Sequence, residues 1–280
     1  MADVRRRIAK ALGIDTPAGP VLPDVAAGDT WFDAGECRNC GAALTTSYCG
    51  GCGQKAARRF VWRDIRTETW DRLRLFELPF ARTLARLLVA PGTVAREYVM
   101  GRRAAHMHPL KLLVAVVAIL ILLLTANRYF GLYADVGKDA VVTRMAQRVL
   151  AYANWSFSLG IVAIYAAAWF VFRRRLGYNA IEIAVMAIYC QSIILALVIV
   201  NLLPTLVWRS PDFILAHKAA SQYYVPAAKM LIVAVAYTQF FLLKLRDDWP
   251  KLLLSCILSA AINWALLRIY AMSILWVVSR

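Results

Sequence analysis

LLVAVVAILILLL, Leu112–Leu124, decides how the rest of this chain is read. It holds no charge, no glycine and no proline. A helix through it would have no polar face to offer water, which is the pattern of a bilayer span and not of an amphipathic surface helix. With its flanks the stretch runs over Leu110–Tyr129, close to the roughly 20 residues needed to cross the hydrocarbon core. Four more apolar stretches follow: Phe157–Phe172, Ala180–Val207 with Pro204 inside, Tyr223–Leu243 with Pro226 near its start, and Leu252–Val278. The second is the shortest; the third and fifth are long enough to tilt. The expected fold is an all-α polytopic membrane protein with five transmembrane helices, built over residues 109–280.

Composition agrees. The 280 residues are 61% hydrophobic, above the near-half expected of a soluble domain, and the excess lies after Pro109. The opening MADVRRRIAKALGIDTPAGP has charge but no apolar core behind it, so it is not a secretory signal. Lys and Arg crowd three places: Arg96, Arg102, Arg103 and Lys111 before the first span, Arg173–Arg175 after the second, and Lys244, Arg246 and Lys251 after the fourth. The opposite loops are longer and more dilute. The positive-inside rule places the N-terminus in the cytoplasm and the C-terminus on the far side of the membrane.

Ahead of the spans stands CRNCGAALTTSYCGGCGQK, Cys37–Lys55. Cys37, Cys40, Cys49 and Cys52 form two C-x2-C pairs, each followed by a glycine (Gly41, Gly53) where the chain must turn with positive φ. Four thiolates close a tetrahedral shell and suit a structural Zn²⁺; a four-cysteine iron site has the same spacing. A closed shell leaves no position for water, which argues against catalysis at the metal. Two disulfides would need an oxidising compartment, whereas the orientation rule puts this piece on the reducing side. So small a unit draws most of its folding free energy from the metal, with Trp31, Leu44 and Tyr48 available to pack on it. Cys190 and Cys256 lie in apolar runs and read as small buried hydrophobes.

The organisation is therefore residues 1–34 as a leading segment with an Ala/Gly/Pro linker, 35–56 as the ribbon, 57–108 as amphipathic helices, and 109–280 as the membrane domain. LPFARTLARLLVA sets Phe80, Leu84, Leu87 and Leu88 on one face and Arg82 and Arg86 on the other. Trp62, Ile65, Trp70, Leu73 and Phe76 suggest an earlier helix, and TVAREYVMGRR a later one. Arginine opposite aromatic and aliphatic residues suits a helix lying in the interface, so Arg82, Arg86, Arg96, Arg102 and Arg103 are expected at the membrane surface. Their partner would be anionic lipid, since a basic segment beside a span favours headgroups over nucleic acid. SPDFILAHKAASQ, with Ser210 as cap and Pro211 at the first helical position, reads as a short surface helix.

CRNCG…YCGGCGQK followed by PGTVAREYVMGRRAAHMHPLKLL resembles a family of uncharacterised bacterial membrane proteins grouped as a domain of unknown function. There a four-cysteine ribbon precedes a P-G…Y-x-x-G-x-R…P-x-K segment that enters the first span. The matching positions are Pro91, Gly92, Tyr98, Gly101, Arg103, Pro109 and Lys111. The resemblance covers Cys37–Leu113 and implies a bacterial inner-membrane protein; it implies no reaction.

Polar groups within spans are costly and mark candidate sites. These are Glu182, Gln191 and Asn201 in the third span, Lys229 and Gln239 in the fourth, and Asn263 and Arg268 in the fifth. Glu182, Gln191, Lys229, Asn263 and Arg268 form the candidate transmembrane polar site. Only one is acidic, which disfavours a proton relay. His106 and His108 alternate and would not face one another on a helix. No phosphate-binding loop, zinc-protease or nucleophile-elbow motif is present. The reading is a non-enzymatic inner-membrane protein whose cytoplasmic zinc ribbon is a structural or partner-docking module. A transporter or channel for a small or anionic solute or lipid is the first alternative. A membrane enzyme acting on lipid is the second. The sequence carries no signal of oligomeric state.

Overall fold

The computed structural model describes residues 19–24, 28–33, 35–60, 78–126, 158–208 and 210–278. Among them the protein is helical throughout, apart from isolated bridges in the four-cysteine unit. The helices are α1 (Asp29–Phe32), α2 (Leu78–Val89), α3 (Pro91–Val99), α4 (Pro109–Ala126), α5 (Ser158–Phe172), α6 (Ala180–Val207), α7 (Pro211–Phe240) and α8 (Leu245–Val278). The helix expected from Trp62 to Phe76 lies outside the described residues, as does the loop between the first two apolar helices.

Two of these helices are long and apolar enough to cross a membrane, Ala180–Val207 and Leu245–Ile274, rather than the five expected. The first of them, α6, has the expected bounds. Its start is fixed by a capping box: Asn179 Oδ1 accepts from Glu182 N at 2.8 Å, and Glu182 Oε2 accepts from Asn179 N at 2.7 Å. In contrast, α4 and α5 are apolar but shorter than a full span among the described residues. The expected surface helix at Ser210 and the fourth span are one element, α7. Pro211 stands in its first turn as expected, Ser210 makes no side-chain cap, and Pro226 sits inside without ending the helix. The last helix starts earlier than expected, at Leu245, because the turn after α7 takes only four residues. Leu242 adopts φ 50° there, and Asp248 Oδ2 accepts from Lys244 N at 3.1 Å to cap α8.

The centre of the molecule is α3, packed against both α6 and α7. It was expected along a bilayer face, yet Pro91, Gly92 and every residue from Val94 to Val99 are buried. The approach to α7 is possible because residue 92 is glycine: a Cβ there would lie 2.2 Å from the Ala236 carbonyl oxygen and 2.7 Å from Phe240 N. The preceding residue, Ala90, offers no side-chain cap. Gln239 of α7 replaces it, its Oε1 accepting from Gly92 N at 3.0 Å and Thr93 N at 3.3 Å. A core of Tyr98, Tyr189, Phe172, Tyr237, Phe240 and Phe241 fills the space between α3, α5, α6 and α7.

Gly92→Ala would force a methyl group into backbone that has no rotamer to yield. The expected loss is about 3 kcal/mol, the upper range for overpacking. Thermal melting of the purified full chain in detergent would measure it, with a melt unchanged from that of the parent chain counting against the close packing of α3 on α7.

Candidate metal centre and buried arginine cluster

The four cysteines lie at equivalent places in two matching turns. In the first, Cys37 N donates to Ala42 O at 2.7 Å and Gly41 N to Cys37 O at 2.8 Å; in the second, Cys49 N donates to Gln54 O and Gly53 N to Cys49 O, both at 2.9 Å. Gly41 and Gly53 have φ of 78° and 69°, as their places after the second cysteines require. All four Sγ atoms lie within 4.8 Å of one another. The closest are Cys40–Cys49 at 3.5 Å and Cys37–Cys52 at 3.6 Å. Sulfurs bound at about 2.3 Å around a tetrahedral ion sit about 3.8 Å apart, so the cluster has the dimensions of a metal site. All six cysteines are free thiols, and Cys190 and Cys256 are buried in the helical core as expected. Backbone amides of Cys52 and Gly51 hold the Cys49 thiol down at about 7. Of the residues expected to pack on the unit, Trp31 does so through Arg38, whose guanidinium lies 3.9 Å from its ring centroid. Tyr48 is exposed.

The unit is joined to the helices through its own last motif residue. Gln54 Nε2 donates to Gly101 O at 2.7 Å, and its Oε1 accepts from Ala104 N at 2.8 Å. Trp31 Nε1 donates to Met100 O at 3.0 Å. Gly101 passes so close that a Cβ would meet Ala57 Cβ at 2.8 Å and Arg38 Cβ at 3.0 Å. Beyond the cysteines, Arg59 Nε reaches Glu182 Oε1 at 3.2 Å, and Asn179 Nδ2 donates to Phe60 O at 3.0 Å. Arg103 lies 3.9 Å over the Phe60 ring.

Three of the arginines expected at the membrane surface face inward. Arg86, Arg96 and Arg102 are 7–8% exposed. Glu97, 3% exposed, is the hub. Its Oε2 lies 3.0 Å from Arg86 Nη2 and accepts from His106 Nε2 at 2.7 Å; its Oε1 lies 3.4 Å from Arg102 Nη1. Arg96 Nε donates to Tyr178 Oη at 3.2 Å. The reason is electrostatic: Glu97 is the only acid between Leu78 and Pro109, and once buried it must be surrounded by donors. The faces of α2 change accordingly. Thr83, Arg86 and Leu87 point in, whereas Leu88 is exposed; Arg82 is on the same helix, and its side chain lies outside the described set. Burial raises the Glu97 pKa, but the His106 hydrogen bond and the charges of Arg86, His106 and Arg102 outweigh it and leave the carboxyl below its usual 4.5. Burial lowers His106 below its usual 6.5 against the pull of Glu97. His108 is held to about 4 by burial and by Lys111 and Arg103; its Nδ1 accepts from Leu110 N at 3.3 Å at the start of α4. The two histidines thus face different partners.

The five residues of the candidate transmembrane polar site lie on α6, α7 and α8. Glu182 is taken up by its capping box and by Arg59. Gln191 is buried against Gly160, where a Cβ would lie 2.3 Å from Gln191 Oε1. Lys229 and Asn263 are partly exposed on α7 and α8. Arg268 is exposed on α8, its guanidinium 5.2 Å from the Trp264 ring centroid.

The model of one family, Protein of unknown function (DUF3667), matches residues 78–121. This bears out the resemblance to an uncharacterised family over α2, α3 and most of α4, the stretch holding the Glu97 hub. It does not reach the cysteines. No curated protein and no solved structure matches the chain. The hub was missed from sequence, although one Glu among five Arg and two His in residues 78–108 was a usable signal. The Asn179-x-x-Glu182 box before an apolar run was another.

Glu97→Gln removes the carboxylate that pairs with Arg86 and Arg102 while keeping the side chain's shape. It should cost about 3–5 kcal/mol, as for other broken buried pairs. Glu36→Gln, which breaks the half-exposed pair with Arg38 at 2.9 Å, should cost less than about 1 kcal/mol. Equal shifts in melting temperature would count against the hub. The folded pKa of both Glu97 and His106 lies below the unfolded one. Their contributions are therefore complete above the unfolded values and are lost as pH falls, beginning below 6.5 with His106. Melting followed from about pH 7.5 to about pH 5 should show stability falling in the parent and falling less in His106→Gln.

Proposed function

We propose that this is a non-enzymatic, multi-span protein of the bacterial inner membrane whose cytoplasmic zinc ribbon is a rigid structural and docking module. The observation that carries the reading is the Gln54 bridge to Gly101 and Ala104. A ribbon bonded through its own motif residue to the segment that leads into α4 is not a tethered, freely swinging domain. Its outer surface, including the exposed Tyr48, is then held at a fixed position for a protein partner. The α8 surface supports the membrane setting. Leu253, Leu254, Ile257, Trp264, Ile269 and Met272 are all exposed along it, an apolar stripe that acyl chains would cover. In this reading α4, α5 and α7 complete a set of five crossings. Zinc fits the four thiolates and a reducing compartment. Since Arg86, Arg96 and Arg102 are buried, the exposed Arg173, Arg174, Lys244 and Arg246 are the cations that would lie against an anionic lipid surface.

The purified chain should carry one zinc per molecule, and Cys37→Ser with Cys49→Ser should abolish it. Since thiolates and not thiols bind metal, zinc should also leave as pH falls. Loss of zinc should speed protease cleavage within residues 101–104, which the ribbon contacts; unchanged cleavage would mean that the ribbon does not clamp the bundle. A C-terminal alkaline phosphatase fusion should be active in cells. An inactive fusion with a fluorescent cytoplasmic counterpart would overturn the orientation and the odd number of crossings.

A further inference from the structure

We propose that Arg96 and Arg102 form an oxyanion site, selective for a phosphate group, that the chain's own segment 19–23 covers. The inference does not rest on the membrane reading. Three guanidiniums are buried here, and among the described residues Glu97 pairs with Arg86, Arg102 and His106, with no ion pair to Arg96. Among the described residues, the remaining donors of Arg96 and Arg102 that have partners are answered by neutral oxygens. Arg102 Nη2 donates to Pro20 O at 2.6 Å and to Gly19 O at 3.3 Å. Arg96 Nη2 donates to Pro23 O, and its Nε to the Tyr178 hydroxyl. Among the described residues, Arg102 Nε is buried with no hydrogen-bond partner, and so is His106 Nδ1. Buried guanidinium is expensive without a counter-charge, and a pair of arginine forks is the arrangement that matches the oxygens of a phosphate. The carbonyl oxygens of Gly19, Pro20 and Pro23 accept from the guanidinium donors that would otherwise serve phosphate oxygens.

The cover is held by the four-cysteine unit. Gly19 runs so close to the first knuckle that a Cβ would lie 2.6 Å from Asn39 O and 3.0 Å from Arg38 O. Pro20 Cδ faces Gly41 across the same turn, 4.0 Å from where a Cβ would stand. The sequence Gly19-Pro20-Val21-Leu22-Pro23 favours an extended chain, which lines up successive carbonyls. Val21 points outward, 90% exposed. Residues 19–23 were expected to be part of a plain linker; they are a strap between knuckle and arginines. A phosphate could come from solution or from a phospholipid headgroup, and both sources present the same oxygens.

The full-length protein in phosphatidylcholine nanodiscs is titrated with inorganic phosphate and followed by calorimetry. In parallel, phosphatidylglycerol retained per chain after exchange out of mixed-lipid nanodiscs is measured by mass spectrometry. Gly19→Val, which cannot keep the strap against Asn39, should bind at least about tenfold more tightly than the parent chain. Arg96→Gln with Arg102→Gln should lose binding, and Arg96→Lys with Arg102→Lys should recover only part of it, because the charge returns without the fork. Zinc content equal to the parent's and a single cooperative melt, whatever its midpoint, certify that each variant is folded. Phosphate binding alone assigns a soluble ligand, and selective phosphatidylglycerol retention assigns a headgroup. No binding by Gly19→Val in either arm overturns the proposal. Binding that survives the double Gln change overturns it equally.

Discussion

A buried carboxylate organises this protein. Glu97 sits on a short helix enclosed by two longer ones, and it cannot be there as a lone charge. Arg86 from α2, Arg102 from the turn after α3, and His106 from the entry to α4 converge on its two oxygens. Each brings its own segment with it. The result is that residues 78–108, which could have been three independent amphipathic pieces, become one folded unit. That unit presents Gly92 to α7 and Gly101 to the four-cysteine knuckle.

The knuckle and the helices meet where side chains would be in the way. Gly101 admits Arg38 and Ala57, and Gly92 admits the backbone of α7. Both glycines belong to the segment that a family of unknown function shares with this chain. Their value is close approach: it brings Gln54 and Gln239 near enough to bond to backbone that would otherwise be unsatisfied. Metal in the knuckle would stiffen one side of this contact, and the Glu97 hub stiffens the other. A change at the metal and a change at the hub are therefore expected to be felt at the same turn, Gly101–Ala104.

Charge is distributed in two quite different ways. Arg86, Arg96 and Arg102, ahead of the first apolar helix, are internal and structural. Those in the turns between later helices, Arg173, Arg174 and Arg246, are exposed. Arg175 belongs to the internal kind, with its guanidinium clamping the α7–α8 turn through Phe241 O, Leu242 O and Asp248. Amphipathic patterning treats all of these as surface charge, because a helical wheel shows which residues share a face but not what lies opposite that face.

The sequence by itself determined what depends on short spacing and on composition. The two C-x2-C turns, their positive-φ glycines and the closeness of the four sulfurs follow from neighbours a few residues apart. The helical character of α4 to α8 follows from long apolar runs, and the bounds of α6 from such a run with a cap in front. Only the tertiary structure decided where Arg86, Arg96 and Arg102 point, that α3 is a core helix, and that residues 19–23 lie across two arginines. Those outcomes depend on partners far away in the chain: Pro23 to Arg96 is 73 residues, and Gly92 to Gln239 is 147. A single carboxylate held in a dry interior outweighs the local preference of arginine for water, and nothing in the local pattern records where that carboxylate will be.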